Sequence, residues 1–491
     1  AMLLEVILLA ASAGRAEVHS TASPWRDRKN LPQLHTDAHP AACAVRSPAR
    51  CHDAPLLAGR SDKSMRGKRE VNVAERASAR RPSFKWALFH NWMYFLALGL
   101  TLPVLPRVVS TIVNADGSPD VSPASSVVSG DVEAIDKVCT FLFVGLLGSL
   151  SDLYGRKLLM AYSALGFTIT CLLQASARSH MSLLYVADLV DGMSSCMNAV
   201  CQAYVADTSD RDRRAINLGI FQGVSVAGAF VIGIPCSSII ASAYGLRAPI
   251  YTAAAVGLLN FLAIVFVTPE SLPAAQRTVT KLNLAAANPL GALARLFGKT
   301  QVLRGAATAF ALLWLSNNCV NSLFGNYVNF LFGWGPEQYG PLMLVIGFIL
   351  ALAPKLLVPR LGLKRSIQVG ASMYAVGQLA SAFAVTPSAL VASVLSMSVG
   401  CIATVALISF ICNQAAPDER GALLGGLETL QELCDAIGHS GYGRLFAFFI
   451  AEGAPLRLPG APFIAASGLM VSALAVISRT FARFPAAASF L

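Results

Sequence analysis

Four residues toward the C-terminal end carry the densest chemistry in the chain. Glu428, Glu432, Asp435 and His439 recur at i, i+4, i+7 and i+11, which is one face of a helix. They interrupt an otherwise apolar stretch. A charge at the centre of a hydrocarbon layer costs roughly 2.5–3.5 kcal/mol even on the mild scale, so the stripe must face protein or water. A carboxylate that is buried, or close to another, has its charged form disfavoured, and this suits it to exchanging protons near neutral pH. Glu428 lies nearest the polar end, which leaves Glu432, Asp435 and His439 as the proton-exchange candidates. The same residues would serve equally well as a structural network between helices, and spacing alone does not choose.

Other apolar stretches carry lesser sets. Asp188, Asp191, Ser195, Asn198 and Gln202 share helical spacing, and either acid is a second proton or solute candidate. His90 and Tyr94 fall on one face with Asn91 beside them. Trp314 precedes Asn317, Asn318, Asn321 and Asn329. Amides can hydrogen-bond a polar solute without the cost of a full charge, or can join helices together. Asp136 and Lys137 read as the polar opening of a span, pairing at the membrane interface. Within the apolar stretches no cluster has the spacing of a metal site, and no nucleophile–base pair appears, so neither an enzyme nor a bound cofactor is expected. His35, His39 and Cys43 have ligand-like spacing, but Pro40 breaks the helix that would gather them.

The elements that must position these residues are long apolar runs. The 491-residue chain is 55% hydrophobic and only 13% charged, about half the charge of a soluble chain. From Pro82 onward, apolar runs long enough to cross a layer of about 30 Å follow one another. Only helices or closed barrels satisfy the backbone there, and barrel strands would be short and alternating. Spans are predicted near 84–106, 131–150, 157–176, 181–204, 215–240 and 249–268, and again near 303–331, 339–359, 366–384, 389–412, 422–450 and 462–480. A polar linker, 269–302, divides residues 84–268 from 303–480, and 481–491 is a short tail.

Residues 1–83 differ, being rich in Ala, Ser, Arg and Pro, and read as a disordered tail. The apolar stretch Met2–Gly14 also fits the core of a signal peptide, and the Arg/Ser-rich, acid-poor character loosely fits a transit peptide. The net charge of +11 resides in this tail and in loops rather than on one folded face, which argues against nucleic acid as a partner. Basic residues such as Arg156, Lys157, Arg213, Arg295, Arg304, Arg360, Lys364 and Arg365 fall in alternate loops. The positive-inside rule then predicts both termini in the cytoplasm.

The two halves echo one another. Ala206–Arg214 ends the fourth span and Cys412–Arg420 ends the tenth; each closes on an Arg five positions before a Gly, Gly219 or Gly425. A duplicated six-helix unit leaves such punctuation. Two enzyme motifs fail. Gly291 stands too far from Gly298-Lys299-Thr300 for a phosphate loop, and Gly223–Ala227 lacks the second Gly of a nucleophile elbow.

The loop between the second and third spans reads Gly148-Ser149-Leu150-Ser151-Asp152-Leu153-Tyr154-Gly155-Arg156-Lys157. It resembles the signature loop of the major facilitator superfamily, G-x-x-x-D-x-x-G-R-[RK], at every fixed position. Tyr204–Thr208, Pro269-Glu270-Ser271-Leu272-Pro273, Leu433-Cys434-Asp435 and Gly441-Tyr442-Gly443 are similar to the tetracycline-resistance-like and hippocampus-abundant-transcript-like branch. The resemblance covers roughly residues 85–480. It implies an all-α membrane protein of twelve transmembrane helices in two pseudo-symmetric six-helix bundles. It implies that the fourth span lines a central cavity, that Asp152 lies by the start of the eleventh span, and that Arg156 pairs with an acid ending the fourth, here Asp207, to latch the halves. There are departures. Asp188 stands where proton antiporters of the family carry an Arg, and the fifth span reads Gly233-Ile234-Pro235-Cys236-Ser237-Ser238 in place of G-P-x-x-G-G.

The expected function is secondary transport of a small organic solute by alternating access, coupled to protons, by a monomer in a lipid bilayer. Acids and amides inside suit a polar neutral or cationic solute. A facilitative uniporter and a transporter-like receptor or scaffold that moves nothing are the alternatives. Removing residues 1–80 is expected to leave a monodisperse, fully helical particle by size exclusion and circular dichroism, since that stretch has no apolar face to contribute.

Overall fold

The computed structural model describes residues 81–178, 180–210, 213–274, 277, 288–414 and 420–484. The N-terminal tail, with its candidate targeting segment and the His35–His39–Cys43 spacing, lies outside the described residues, as do parts of both Arg-ended loops. Sixteen α-helices lie among the described residues: α1 Phe84–Thr101, α2 Leu105–Val113, α3 Pro123–Tyr154, α4 Arg156–Ser176, α5 Ser182–Ser194, α6 Met197–Thr208, α7 Arg214–Val226, α8 Ile234–Tyr244, α9 Ala248–Val267, α10 Pro289–Gly298, α11 Gln301–Phe332, α12 Pro336–Ala382, α13 Pro387–Gly400, α14 Ile402–Asn413, α15 Arg420–Ile450 and α16 Ala461–Arg483. No strand is present among the described residues.

Seven helical runs among the described residues are long and apolar enough to cross a membrane by composition alone. The helices accommodate twelve crossings once three physical features are read. First, spans four and five are interrupted. Span four breaks between α5 and α6 at Ser195 and Cys196, and span five passes through a π-helical segment, Ala227–Gly233, just before Pro235. Proline has no amide hydrogen for the preceding turn, and a widened turn absorbs that loss. Second, α12 holds spans eight and nine, which meet at a kink where Gly362 takes φ 74°. Third, α11 and α15 are 32 and 31 residues long but too polar to qualify on composition; they carry the amides and the acids.

Large apolar side chains such as Phe266, Val376, Leu259, Leu142 and Leu352 are exposed on the outside, where lipid would meet them. Inside, four buried apolar clusters form. The largest draws its buried members only from Leu296 to Phe481, and the other three only from Ala87 to Ile264. The apolar cores therefore separate at the linker, and the seam between them is closed largely by α3 against α15 and by α8 and the π segment against α12.

One helix is capped at both ends by side chains from far along the chain. The Glu270 carboxylate accepts from the backbone amides of Arg156 at 2.9 Å and Lys157 at 3.2 Å, the first turn of α4. At the other end Arg247 donates to the carbonyls of Ala175 and Ala177 at 3.0 and 2.7 Å. A negative group at the N-terminus and a positive one at the C-terminus both oppose the helix dipole and satisfy orphan backbone groups. Gly155, with φ 102°, makes the tight turn between α3 and α4, and a side chain there would strike the Glu270 carboxylate. Glu270→Ala is expected to lower stability by about 1–2 kcal/mol, with Glu270→Gln costing less, read as the melting temperature of purified protein.

Candidate functional site

Along the seam between the two cores lies a cluster of charged and amide side chains. On α15, Asp435 Oδ1 accepts from Trp314 Nε1 at 2.9 Å and from Asn318 Nδ2 at 2.6 Å, both on α11. His439 Nδ1 lies 2.8 Å from the Asp435 backbone carbonyl and 3.3 Å from Asn318 Nδ2. These four residues form one network between α11 and α15. Because a carboxylate can only accept when ionised, Asn318 must present its NH2 to Asp435 and its oxygen elsewhere. That oxygen abuts Gly438, where an added Cβ would lie 2.3 Å from it. Asn318 is thus a brace between two helices of the same half.

Glu432, one turn before Asp435, differs. Its Oε2 is buried and has no hydrogen-bond partner among the described residues. The charged groups around it are Lys137 and Asp136 on α3, and Asp435 and Glu428 on its own helix. Glu428 accepts from Gln202 Nε2 across the seam at 3.4 Å.

On the facing half, the Lys137 ammonium lies 2.7 Å from Asp136 Oδ2. Its other charged neighbours are Glu432 and Glu133. Asp191 on α5 faces Asp136, Lys137 and Glu133. Tyr94 on α1 completes this side, close to Asp191 and Ser195. The expectation that Asp136 and Lys137 open a span at the membrane interface is corrected here. Span two begins at Pro123 rather than near 131, because Ser122 and Ser125 form a reciprocal cap. Lys137 therefore lies about 20 Å along the helix axis, deep in the span. The polar run Asp131–Lys137 depresses hydropathy and hides that start; the Ser-Pro-x-Ser cap was the signal available in the sequence.

The remaining candidates divide. Asn91 donates to Ser225 at 2.6 Å and to Asn198 at 3.2 Å, tying α1 to α6 and α7. Ser225 spends its own proton on the Phe221 carbonyl, so Asn91's oxygen is left as a buried acceptor without a partner among the described residues. Asp188 accepts from Gln174 on α4 at 2.8 Å. Asn317 donates to Thr404 at 3.3 Å, and Asn321 is exposed. His90 stands apart from the cluster. Both its ring nitrogens are engaged, with Asn260 at 2.7 Å and Thr268 at 2.6 Å, joining α1 to the end of α9.

At one end of the seam, Arg156 reaches Asp207 Oδ2 at 3.0 Å and Asp152 at 2.6 Å, and Ser271 also donates to Asp207. Gly148 has open space where a side chain would stand, and Lys157 is held by its backbone on Glu270. At the other end, Arg444 on α15 pairs with Asp131 on α3, its second nitrogen 3.0 Å from Oδ2, and Ser440 joins the pair. Tyr339 donates to the Pro103 carbonyl at 2.8 Å, and the Val121 amide to Asn329 at 3.1 Å. In sequence Glu270 stood out only within the family-like phrase Pro269–Pro273, with no role attached, and the Asp131–Arg444 pair did not stand out. Glu270 caps a helix begun 114 positions earlier, and the pair brings together two residues 313 apart.

The model of the Major Facilitator Superfamily matches residues 87–439. The chain belongs to this superfamily. It is an integral, multi-pass membrane protein of a transporter family rather than an enzyme family. It is 28% identical to the class C tetracycline resistance protein of Escherichia coli over 347 residues, covering 70% of this chain and 84% of that one. It is 24% identical to hippocampus abundant transcript-like protein 1 of Homo sapiens over 406 residues, 78% of each chain. Among solved structures it is similar to the human organic anion transporter MFSD10, with TM-score 0.61 and 19% identity over 81% of this chain and 99% of that one. A partially occluded inward-open xylose transporter XylE from E. coli aligns with TM-score 0.61 at 14% identity, over the same shares. The superfamily fold is thereby that of this chain.

Proposed function

We propose that this protein moves a small organic solute across its membrane by alternating access, with Glu432 carrying the coupling proton. The observation that carries the reading is the buried Oε2 of Glu432, without a hydrogen-bond partner among the described residues, at the seam between the two halves and facing a lysine on the other half. Asp435 spends its oxygen on Trp314 and Asn318, and Asp188 spends its own on Gln174; both are committed to their own half. Glu432 has capacity left over. A group that takes up a proton on one side and gives it up on the other must sit where access alternates, and the seam is that place.

The two ends of the seam support a conformer closed at one end. An added Cβ at Gly130 would lie 2.5 Å from the His439 carbonyl, whereas Gly148 and Gly425, toward the Arg156 loop, meet nothing within 4 Å. With the loop bearing Arg156 and Lys157 in the cytoplasm, this is an inward-facing state. Two bundles, 84–268 and 303–480, rocking about the seam would close that end and part Asp131 from Arg444.

Cargo follows from the lining chemistry. Carboxylates outnumber cations around the seam, and Asn91 offers an unmatched acceptor, so a neutral or cationic solute bearing hydrogen-bond donors fits better than the organic anion for which MFSD10 is named. The uniporter reading keeps some support from the acids already committed to hydrogen bonds.

The test uses proteoliposomes and the first solute that the wild-type protein exchanges in a screen. Glu432→Gln is expected to abolish accumulation against a gradient while leaving exchange at equal concentrations within about threefold, a loss confined to coupling rather than to binding. Asp435→Asn, whose oxygen still accepts from Trp314 and Asn318, is expected to retain uphill transport. Uphill transport by both variants with unchanged pH dependence would make the α15 stripe structural and pass the coupling role to Asp188 or Asp191, whereas a wild-type protein that exchanges solute but never accumulates it would favour the uniporter.

A further inference from the structure

We propose that Lys137 is the positioning cation of the coupling site, exchanging its ammonium between Asp136 on its own helix and Glu432 on the facing half. The inference rests on the transport reading above and gives a role to the lysine that Glu432 faces, to which that reading assigns none. Its basis is the register of the two helices that close the seam. Ser126 donates to the Gly443 carbonyl at 3.2 Å, and Gly130 packs on the His439 carbonyl. The helices therefore run antiparallel, α3 ascending from 126 to 130 as α15 descends from 443 to 439. Seven residues further along α3 is Lys137; seven residues back along α15 is Glu432. Both steps are two turns, about 10.5 Å, so the register that brings Gly130 to His439 brings Lys137 to Glu432.

The chemistry fits that placement. Lys137 is a compact ammonium on a flexible stem, able to turn from one carboxylate to another without moving its helix. In this conformer it is paired with Asp136 at 2.7 Å, and Glu432 Oε2 is left without a hydrogen bond among the described residues. Glu133 from its own helix, Asp191 from α5 and Tyr94 from α1 are the remaining titratable groups facing it. Around Glu432 the corresponding groups are Asp435 and Glu428. With Glu432 ionised, the ammonium has a carboxylate on each half and bridges the seam. With a proton on Glu432 Oε2, only carboxylates of its own half attract it, and the bridge opens. The proton enters from one side of the membrane and leaves to the other, and Lys137 converts its presence into a change in the contact between halves.

The test needs no solute. Full-length wild type, Lys137→Gln, Lys137→Arg, Glu432→Gln and the Lys137→Gln/Glu432→Gln double are compared by melting temperature from about pH 5 to 9, where linkage reports a titrating group as an inflection. The wild type is expected to show an inflection that Glu432→Gln removes. Lys137→Gln should displace it by about one pH unit or more, Lys137→Arg should return it to within about half a unit, and the double should lack it, since coupled residues do not add. A profile for Lys137→Gln that matches wild type overturns the proposal. So does an inflection that Lys137→Gln still displaces when Glu432 is neutral, which would assign the lysine to Asp136 or Asp191 alone. If a single variant does not fold, the exchange Lys137→Glu/Glu432→Lys decides: it folds if the groups pair across the seam and fails if they do not. A wild-type protein that carries no solute would remove the transport reading and leave the pairing to be judged by these profiles.

Discussion

Hydrocarbon offers a polar group no partner, so an amide or carboxylate in a span is stable only when turned toward another helix or toward water. The rest of the architecture follows from that constraint. Apolar side chains such as Phe266 and Val376 take the outside. Amides and acids gather on α3, α11 and α15, whose length suffices for a crossing but whose faces are mixed. The buried apolar clusters, each drawn from one half, leave between the halves a surface where charges meet. The proposed alternating access needs such a seam, one that parts at one end while it stays closed at the other.

Within the seam, hydrogen bonding sorts residues that look alike in sequence. Glu432 and Asp435 share a helix face, yet Asp435 is held by two donors of its own half and Glu432 is held by none among the described residues. Asp188 and Asp191 repeat the contrast on the other side: Gln174 occupies Asp188, while Asp191 looks toward Lys137 and Asp136. Asp435 and Asp188 thus each brace a helix pair within their own half, while Glu432 and Asp191 face the charged groups at the seam. The two ends of the seam carry their own polar contacts, Arg156 with Asp207 and Asp152 at one and Arg444 with Asp131 at the other. Only the second joins the halves in this conformer.

Much of this was legible in the sequence. Continuous apolar runs and the Gly148–Lys157 spacing implied the fold that the family match and structural likenesses bear out. The spacing of Glu432, Asp435 and His439 marked a shared face, because helical periodicity is a local property. The start of span two was misjudged because four charged residues between Asp131 and Lys137 mask it from hydropathy, and its cap at Ser122 is a backbone feature. Lys137 was accordingly read as interfacial. Glu270 and the Asp131–Arg444 pair depend on contacts across more than a hundred positions, which no local pattern encodes. His90 is the opposite case: a histidine in an apolar span invites a functional reading, and its partners Asn260 and Thr268 lie far along the chain.

The central claim is that protons cross the seam together with the solute. Proteoliposomes holding the wild-type protein and a trapped pH-sensitive dye, with a pH gradient imposed across the membrane, test it most directly. Adding a transported solute is predicted to collapse the gradient at a rate that follows solute flux. Solute entry that leaves the gradient untouched would contradict the account and make the acids of α15 structural.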